Sequence, residues 1–256
     1  MRPPPYRRPL PEPFAGARRR LLLTAWLSRP TPPSIEVDGF NLLFEPGLPD
    51  PRPALGFSAV RFLLEALDVR PGERLLDIDC GAGWISLVAS RGGATVTSLD
   101  SEPNAARCLR RSSLVAGLGD PDVRIGDALD PLEDGEIFDV VTWVPPSLDG
   151  PAGGSDKSAR HVVGDRARIT QVLKRVLPRL GRGGRLLFPF PDRDATPWLH
   201  DALTAIGYRF APVRYATPAV LGPVRVYKAW PARHGQPGEV TPGEALPGAA
   251  WVLRDR

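Results

Sequence analysis

Residues 75–84, Leu-Leu-Asp-Ile-Asp-Cys-Gly-Ala-Gly-Trp, constrain the fold more than any other stretch of the chain. A hydrophobic run closes on acidic residues, passes through a small glycine-rich turn and opens into an apolar helical stretch. The order is therefore strand, tight loop, helix. In open α/β sheets such loops sit at the carboxyl ends of the strands, where glycine lets a ligand approach the backbone and the helix N-terminus offers unpaired N–H groups.

The rest of the chain repeats this alternation. Strands are predicted near 74–79, 95–99, 122–125, 138–144 and 184–189, with helices near 84–90, 103–116, 165–180 and 196–206. That succession argues for right-handed βαβ units and a mostly parallel, doubly wound sheet. After Gly207 the segments 208–213 and 224–230 read as strands with no helix between them, giving an antiparallel edge pair. Upstream, Asp38-Gly39 separates two short apolar runs, 35–37 and 40–44, and signals a hairpin. A helix follows from Ser58 to Leu67, an amphipathic helix is expected over 12–28, and 250–253 reads as a last short strand. The organisation expected is an N-terminal arm, helix and hairpin over 1–57 that serves as a lid, a ligand-binding domain over 58–230 and an extension over 231–256.

Charge and cysteine usage narrow the classes. The formal net charge is +4, and only Lys157, Lys174 and Lys228 are lysines, so the positive charge is nearly all arginine. Arg2, Arg7, Arg8, Arg18, Arg19 and Arg20 gather in the N-terminal arm, which can track phosphates but reads first as a solvated arm. Nucleic acid is therefore an unfavoured partner that the arm keeps open. Cys80 and Cys108 make neither a disulfide framework nor a metal site, so no metal is expected. The apolar run 21–27 is too short to span a bilayer and lacks a small-residue cleavage site, so no membrane association and a cytoplasmic location are expected. Oligomeric state is left open.

Three positions discriminate among nucleotide-binding folds. Asp100 closes the second strand, where a carboxylate can accept bonds from both ribose hydroxyls. A dinucleotide loop wants a third glycine for close helix–strand packing, and after Gly81 and Gly83 that place is held by Ser86. Asp77 precedes the loop, and Gly126-Asp127-Ala128 follows the third strand. The segment 138–147, Phe-Asp-Val-Val-Thr-Trp-Val-Pro-Pro-Ser, ends the fourth, and Gly181-Arg182-Gly183-Gly184 precedes the fifth. In this order the motifs resemble those of class I S-adenosylmethionine-dependent methyltransferases, small-domain branch, related to release-factor glutamine methyltransferase. The resemblance covers about residues 35–230.

It implies a seven-stranded, mostly parallel sheet with an antiparallel edge pair, and S-adenosyl-L-methionine as cofactor. Asp77, Asp79, Gly81, Ala82 and Gly83 would surround the cofactor's amino-acid end. Asp100 and Ser101 would meet the ribose, Asp127 and Ala128 the adenine, and Val144 the methyl-bearing end. Trp143, Pro145, Pro146 and Ser147 would line the acceptor pocket, with His161 and Asp149 in the following loop as acid–base groups.

Two departures matter. Asp79 stands where the family has its first motif glycine. Val144 and Ser147 replace the Asn and the aromatic of Asn-Pro-Pro-Tyr/Phe, so an amide or nucleobase nitrogen loses its orienting partner. The expected acceptor is accordingly a small molecule with an N or O nucleophile. Two other readings use the same motifs: transfer or cyclisation of the cofactor's aminocarboxypropyl arm, releasing methylthioadenosine, and a binding protein with a degenerate cofactor site.

Overall fold

The computed structural model describes residues 32–45, 56–145, 148–149, 163–164, 166–191, 196–216, 224–232 and 238–239. The first elements are β1 (Ser34–Val37), β2 (Phe40–Leu43) and α1 (Gly56–Ala66). The βα units follow as β3 (Arg74–Ile78), α2 (Trp84–Arg91), β4 (Thr95–Asp100), α3 (Pro103–Val115), β5 (Asp122–Ile125) and β6 (Phe138–Trp143). Two short strands, β7 (Leu148–Asp149) and β8 (Val163–Gly164), precede α4 (Arg166–Val176). The chain then forms β9 (Leu180–Pro191), α5 (Thr196–Ile206), β10 (Tyr208–Ala216), β11 (Val224–Pro231) and β12 (Gly238–Glu239).

The main sheet runs β12-β10-β11-β9-β6-β3-β4-β5. β5, β4, β3, β6 and β9 are mutually parallel, and β11 inserts antiparallel between β9 and β10. The seven longer strands are the expected set. β12 is an addition: two residues of the expected C-terminal extension pair in parallel with β10.

Both faces of the sheet are covered, which is why the central strands β3, β6 and β9 bury consecutive rather than alternate residues. Leu76, Ile78 and Val141 pack with Ile169, Val172 and Leu173 of α4 and Leu199 and Leu203 of α5. Leu75 and Val140 face the other way, with Leu63 of α1 and Ile85 and Ala89 of α2. At the amino edge of β3, buried Arg185 of β9 donates to Asp68 and Glu73 and ties the α1–β3 connection to the sheet. Among the described residues no helix is long and apolar enough to cross a membrane.

The hairpin is a packed element. Val37, Phe40, Leu42 and Phe44 are buried against Trp84 and Leu87 of α2 and Ala106 and Leu109 of α3. Ser112 Oγ accepts the Leu43 N–H at 2.8 Å, and Cys108 Sγ accepts the Glu45 N–H at 3.0 Å.

Boundaries differ where local chemistry outweighs periodicity. The helix expected over 165–180 ends at Val176, and Leu177–Arg179 tightens to a 3-10 turn because Pro178 cannot continue the helical ladder. β9 starts at Leu180, taking the glycine turn into the strand. A Cβ on Gly184 would lie 2.9 Å from the Phe138 carbonyl, so only glycine fits the irregularity where β6 and β9 change register. The ends of the loop expected to carry Asp149 and His161 are drawn together by the β7–β8 bridge. The elements expected over 12–28 and 250–253 lie outside the described residues.

Candidate functional site

The glycine loop leaves β3 at its carboxyl end and returns as α2. Gly83 takes φ 86° at the start of α2, and a Cβ there would fall 2.4 Å from Leu109 Cδ1, so this glycine lets α3 pack against the loop. Gly81 serves differently. Its φ is 54°, and a Cβ there would meet no atom within 4 Å, so open space borders the backbone at the sheet edge. Ala82 is half-buried beside it.

Asp100, at the end of β4, holds this loop from the next strand. Its Oδ2 accepts the Gly81 N–H at 2.8 Å and its Oδ1 the Glu102 N–H at 2.9 Å. An ionised carboxylate offers about four acceptor positions, so two backbone bonds fix its orientation and are compatible with a ribose diol. Ser101 follows, exposed. The open space at Gly81 and the carboxylate bonded to its N–H fit a nucleoside with an attached amino-acid arm.

Asp77 has another role. It is 1% exposed, and its carboxylate accepts from Ser86 Oγ at 2.6 Å and Thr142 Oγ1 at 2.9 Å. Burial, reinforced by the Asp100 and Asp79 charges, pushes its carboxyl up to about 7 against the opposing pull of the two hydroxyls. Asp77 thus fastens β3, α2 and β6 together beneath the loop. Ser86, which fills the place of a third dinucleotide glycine, is one of those fasteners. Burial and the carboxylates of Asp100, Asp77 and Asp79 push the Cys80 thiol up, which keeps it an inert packing group.

Asp79 is exposed and takes φ 56°. Its Oδ2 accepts the indole N–H of Trp143 at 2.8 Å. Trp143 is 1% exposed and packs with the core, so its ring is not the wall of an open acceptor pocket. Val144 packs toward Leu63, Leu75 and Val140, and Pro145 is buried. Pro146, Ser147 and His161 lie outside the described residues, and of Asp149 only the backbone, in β7, is described.

Asp127 is exposed just beyond β5, with buried Ala128 (φ 47°) after it. Arg168 of α4 makes a two-pronged ion pair with Asp127 and holds its carboxyl below the usual range. Arg168 was not among the expected residues, and no local signal marks it, because the pair spans 41 positions.

Residues 58–165 match the model of the methyltransferase small domain. The chain is 39% identical over 85 residues to nocamycin O-methyltransferase of Saccharothrix syringae, covering 32% of this chain and 30% of that one. It is 32% identical over 140 residues to ribosomal protein L11 methyltransferase of Laribacter hongkongensis, covering 51% and 41%. The chain therefore spans less than half the length of these two relatives. The fold superposes on the Thermus thermophilus 16S rRNA N2 G1207 methyltransferase, solved with AdoMet and guanosine, with TM-score 0.56, 20% identity and coverage of 79% and 50%.

These likenesses correct the expected partner. The longer of the two sequence matches is to an enzyme named for a ribosomal protein, and the superposed enzyme is named for 16S rRNA. A small-molecule acceptor with nucleic acid set aside does not stand against them. Val144 and Ser147 bear on how a nucleophile is oriented and not on the size of the acceptor that carries it. With its βα order, its glycine loop held by Asp100 and its match over residues 58–165, this chain carries a methyltransferase small domain.

Proposed function

We propose that this protein transfers a methyl group from S-adenosyl-L-methionine to a nucleophile presented by a macromolecule. The observation that carries the reading is the Gly81–Asp100 arrangement: a glycine N–H fixed 2.8 Å from a buried strand-end carboxylate, with open space at the glycine α-carbon. The bound cofactor supplies an electrophilic methyl group on a sulfonium. In this reading Asp100 receives the ribose hydroxyls, and the backbone of residues 79–83 takes the amino-acid arm. Asp127, fixed by its ion pair with Arg168, accepts the adenine amino group on a remaining lone pair.

In-line displacement at a sulfonium depends chiefly on alignment, and a base is needed only when the nucleophile must lose a proton. The Val144 side chain offers no hydrogen bond, so orientation of the nucleophile falls to backbone groups beyond β6, to Asp149 of β7 and to His161, which lies in sequence between β7 and β8. The macromolecular acceptor is supported by the L11 and 16S rRNA enzymes to which the chain is similar.

Methyl-labelled S-adenosylmethionine incubated with the protein and with ribosomes, ribosomal proteins or total RNA tests the proposal. S-adenosylhomocysteine should form, with label in the protein or RNA fraction. Methylthioadenosine as product would establish aminocarboxypropyl chemistry instead. Absence of turnover with every acceptor would leave a binding protein.

A further inference from the structure

One side-chain bond joins the cofactor loop to the strand that leads into the acceptor segment. Asp79 follows β3 directly, in a left-handed conformation that Asp and Asn tolerate better than most residues other than glycine. Ile78 and Trp143 are register partners at the ends of neighbouring β3 and β6. The turn at Asp79 brings its Oδ2 to 2.8 Å from the Trp143 indole nitrogen. The ring is 1% exposed, so its N–H is withdrawn from solvent, and an accepting oxygen here replaces the water it has lost. Val144 and Pro145 come next, so whatever holds Trp143 also sets the point at which the acceptor segment leaves the sheet.

The geometry points to Asp79 as a positioning residue that acts through Trp143: its carboxylate locks the indole and so fixes the acceptor segment relative to the glycine loop. The glycine usual at this place in the superfamily supplies the backbone conformation but no acceptor. Asp79 supplies both. The assignment rests on the methyltransferase reading for its kinetic consequences and on the hydrogen bond alone for its structural ones. It differs from a role in which the Asp79 charge acts on the cofactor, and substitutions separate the two. Asp79→Asn removes the charge but keeps an accepting oxygen and tolerance of the left-handed backbone. Asp79→Gly keeps the backbone and removes the acceptor. Trp143→Phe removes the donor.

The test combines kinetics with two readouts that need no turnover, calorimetric affinity for S-adenosylhomocysteine and the indole N–H resonances of the six tryptophans by 15N NMR. Asp79→Gly and Trp143→Phe should each lower kcat about tenfold, with the KM for S-adenosylmethionine within about threefold. Asp79→Asn should restore most of that kcat, and Asp79→Gly/Trp143→Phe should be no slower than the slower single variant. The resonance absent from Trp143→Phe should lose exchange protection in Asp79→Gly and keep it in Asp79→Asn, and affinity for S-adenosylhomocysteine should fall less in Asp79→Asn than in Asp79→Gly. Equal damage from Asp79→Asn and Asp79→Gly, or additive single effects, would overturn the proposal in favour of a charge acting on the cofactor. If the wild-type protein proves inactive, the function reading fails while the NMR arm still decides the bond. An indole unaffected by Asp79→Gly would then overturn the clamp on its own.

Discussion

Asp38 and Asp79 use the same device in two regions, one outside the site and one inside it. Both are exposed, both have positive φ (48° and 56°), and each accepts a tryptophan indole N–H, from Trp84 at 3.0 Å and Trp143 at 2.8 Å respectively. Around Asp38 the device is reinforced. Arg91 donates to the carbonyls of Asp38 and Gly39 and lies 3.3 Å over the Phe40 ring, and the hairpin buries four apolar side chains against α2 and α3. Around Asp79 the neighbours are buried Asp77, half-buried Cys80 and the open edge at Gly81. The outer bond belongs to a brace, whereas the inner bond belongs to an alignment. Since Trp84 follows Gly83 directly, the cofactor loop is pinned from the outside by the hairpin and from the inside by β6.

The largest effect should come where the two regions meet. Gly83→Ala combines a left-handed backbone with a Cβ 2.4 Å from Leu109, whose side chain is buried, and should cost about 2–4 kcal/mol in denaturant unfolding. Gly81→Ala, with nothing within 4 Å, should cost only about 1 kcal/mol. Equal losses would mean that the two glycines do not divide packing from ligand space.

A smaller loss, about 1–2 kcal/mol of stability, is expected for Asp38→Ala, because it strips the acceptor from a buried indole. Affinity for S-adenosylhomocysteine should stay within about twofold of wild type if the hairpin is a brace and does not touch the ligand. A ligand defect larger than the stability defect would break the division between outer and inner clamp.

The buried Asp77 sharpens the comparison through pH. Its carboxyl is raised to about 7 by burial, so its contribution to stability is full below about pH 4 and is lost as pH rises through 7. Asp77→Asn, which lacks this titration, should therefore be more damaging relative to wild type at pH 5 than at pH 8. The reverse trend would mean that Ser86 and Thr142 outweigh burial and hold the carboxylate charged. The smallest effect belongs to Arg168→Ala: it opens an exposed ion pair and should change stability by less than about 1 kcal/mol.

The uneven legibility of these features has a physical cause. The Asp-Gly hairpin, the strand–loop–helix at 75–84 and Asp100 at the end of β4 are local, and their chemistry is written in consecutive residues. Asp79–Trp143 and Asp127–Arg168 are contacts at separations of 64 and 41, and they follow from strand and helix adjacency rather than from either local pattern. Asp77 shows the same limit. Its acidity was visible, but its partners Ser86 and Thr142 come from α2 and β6, so its role as a fastener was not. Gly184 reads as a turn residue by composition and becomes a strand residue because the β6–β9 register change leaves no room for a Cβ.

The central claim, a nucleoside held at the carboxyl edge of β4 by Asp100, is tested most directly by calorimetric titration of S-adenosylhomocysteine into wild type, Asp38→Ala and Asp100→Ala. The account predicts wild-type affinity for Asp38→Ala and a loss of about 1–3 kcal/mol for Asp100→Ala, as for removal of a charged hydrogen-bond acceptor. Unchanged affinity in Asp100→Ala would contradict it.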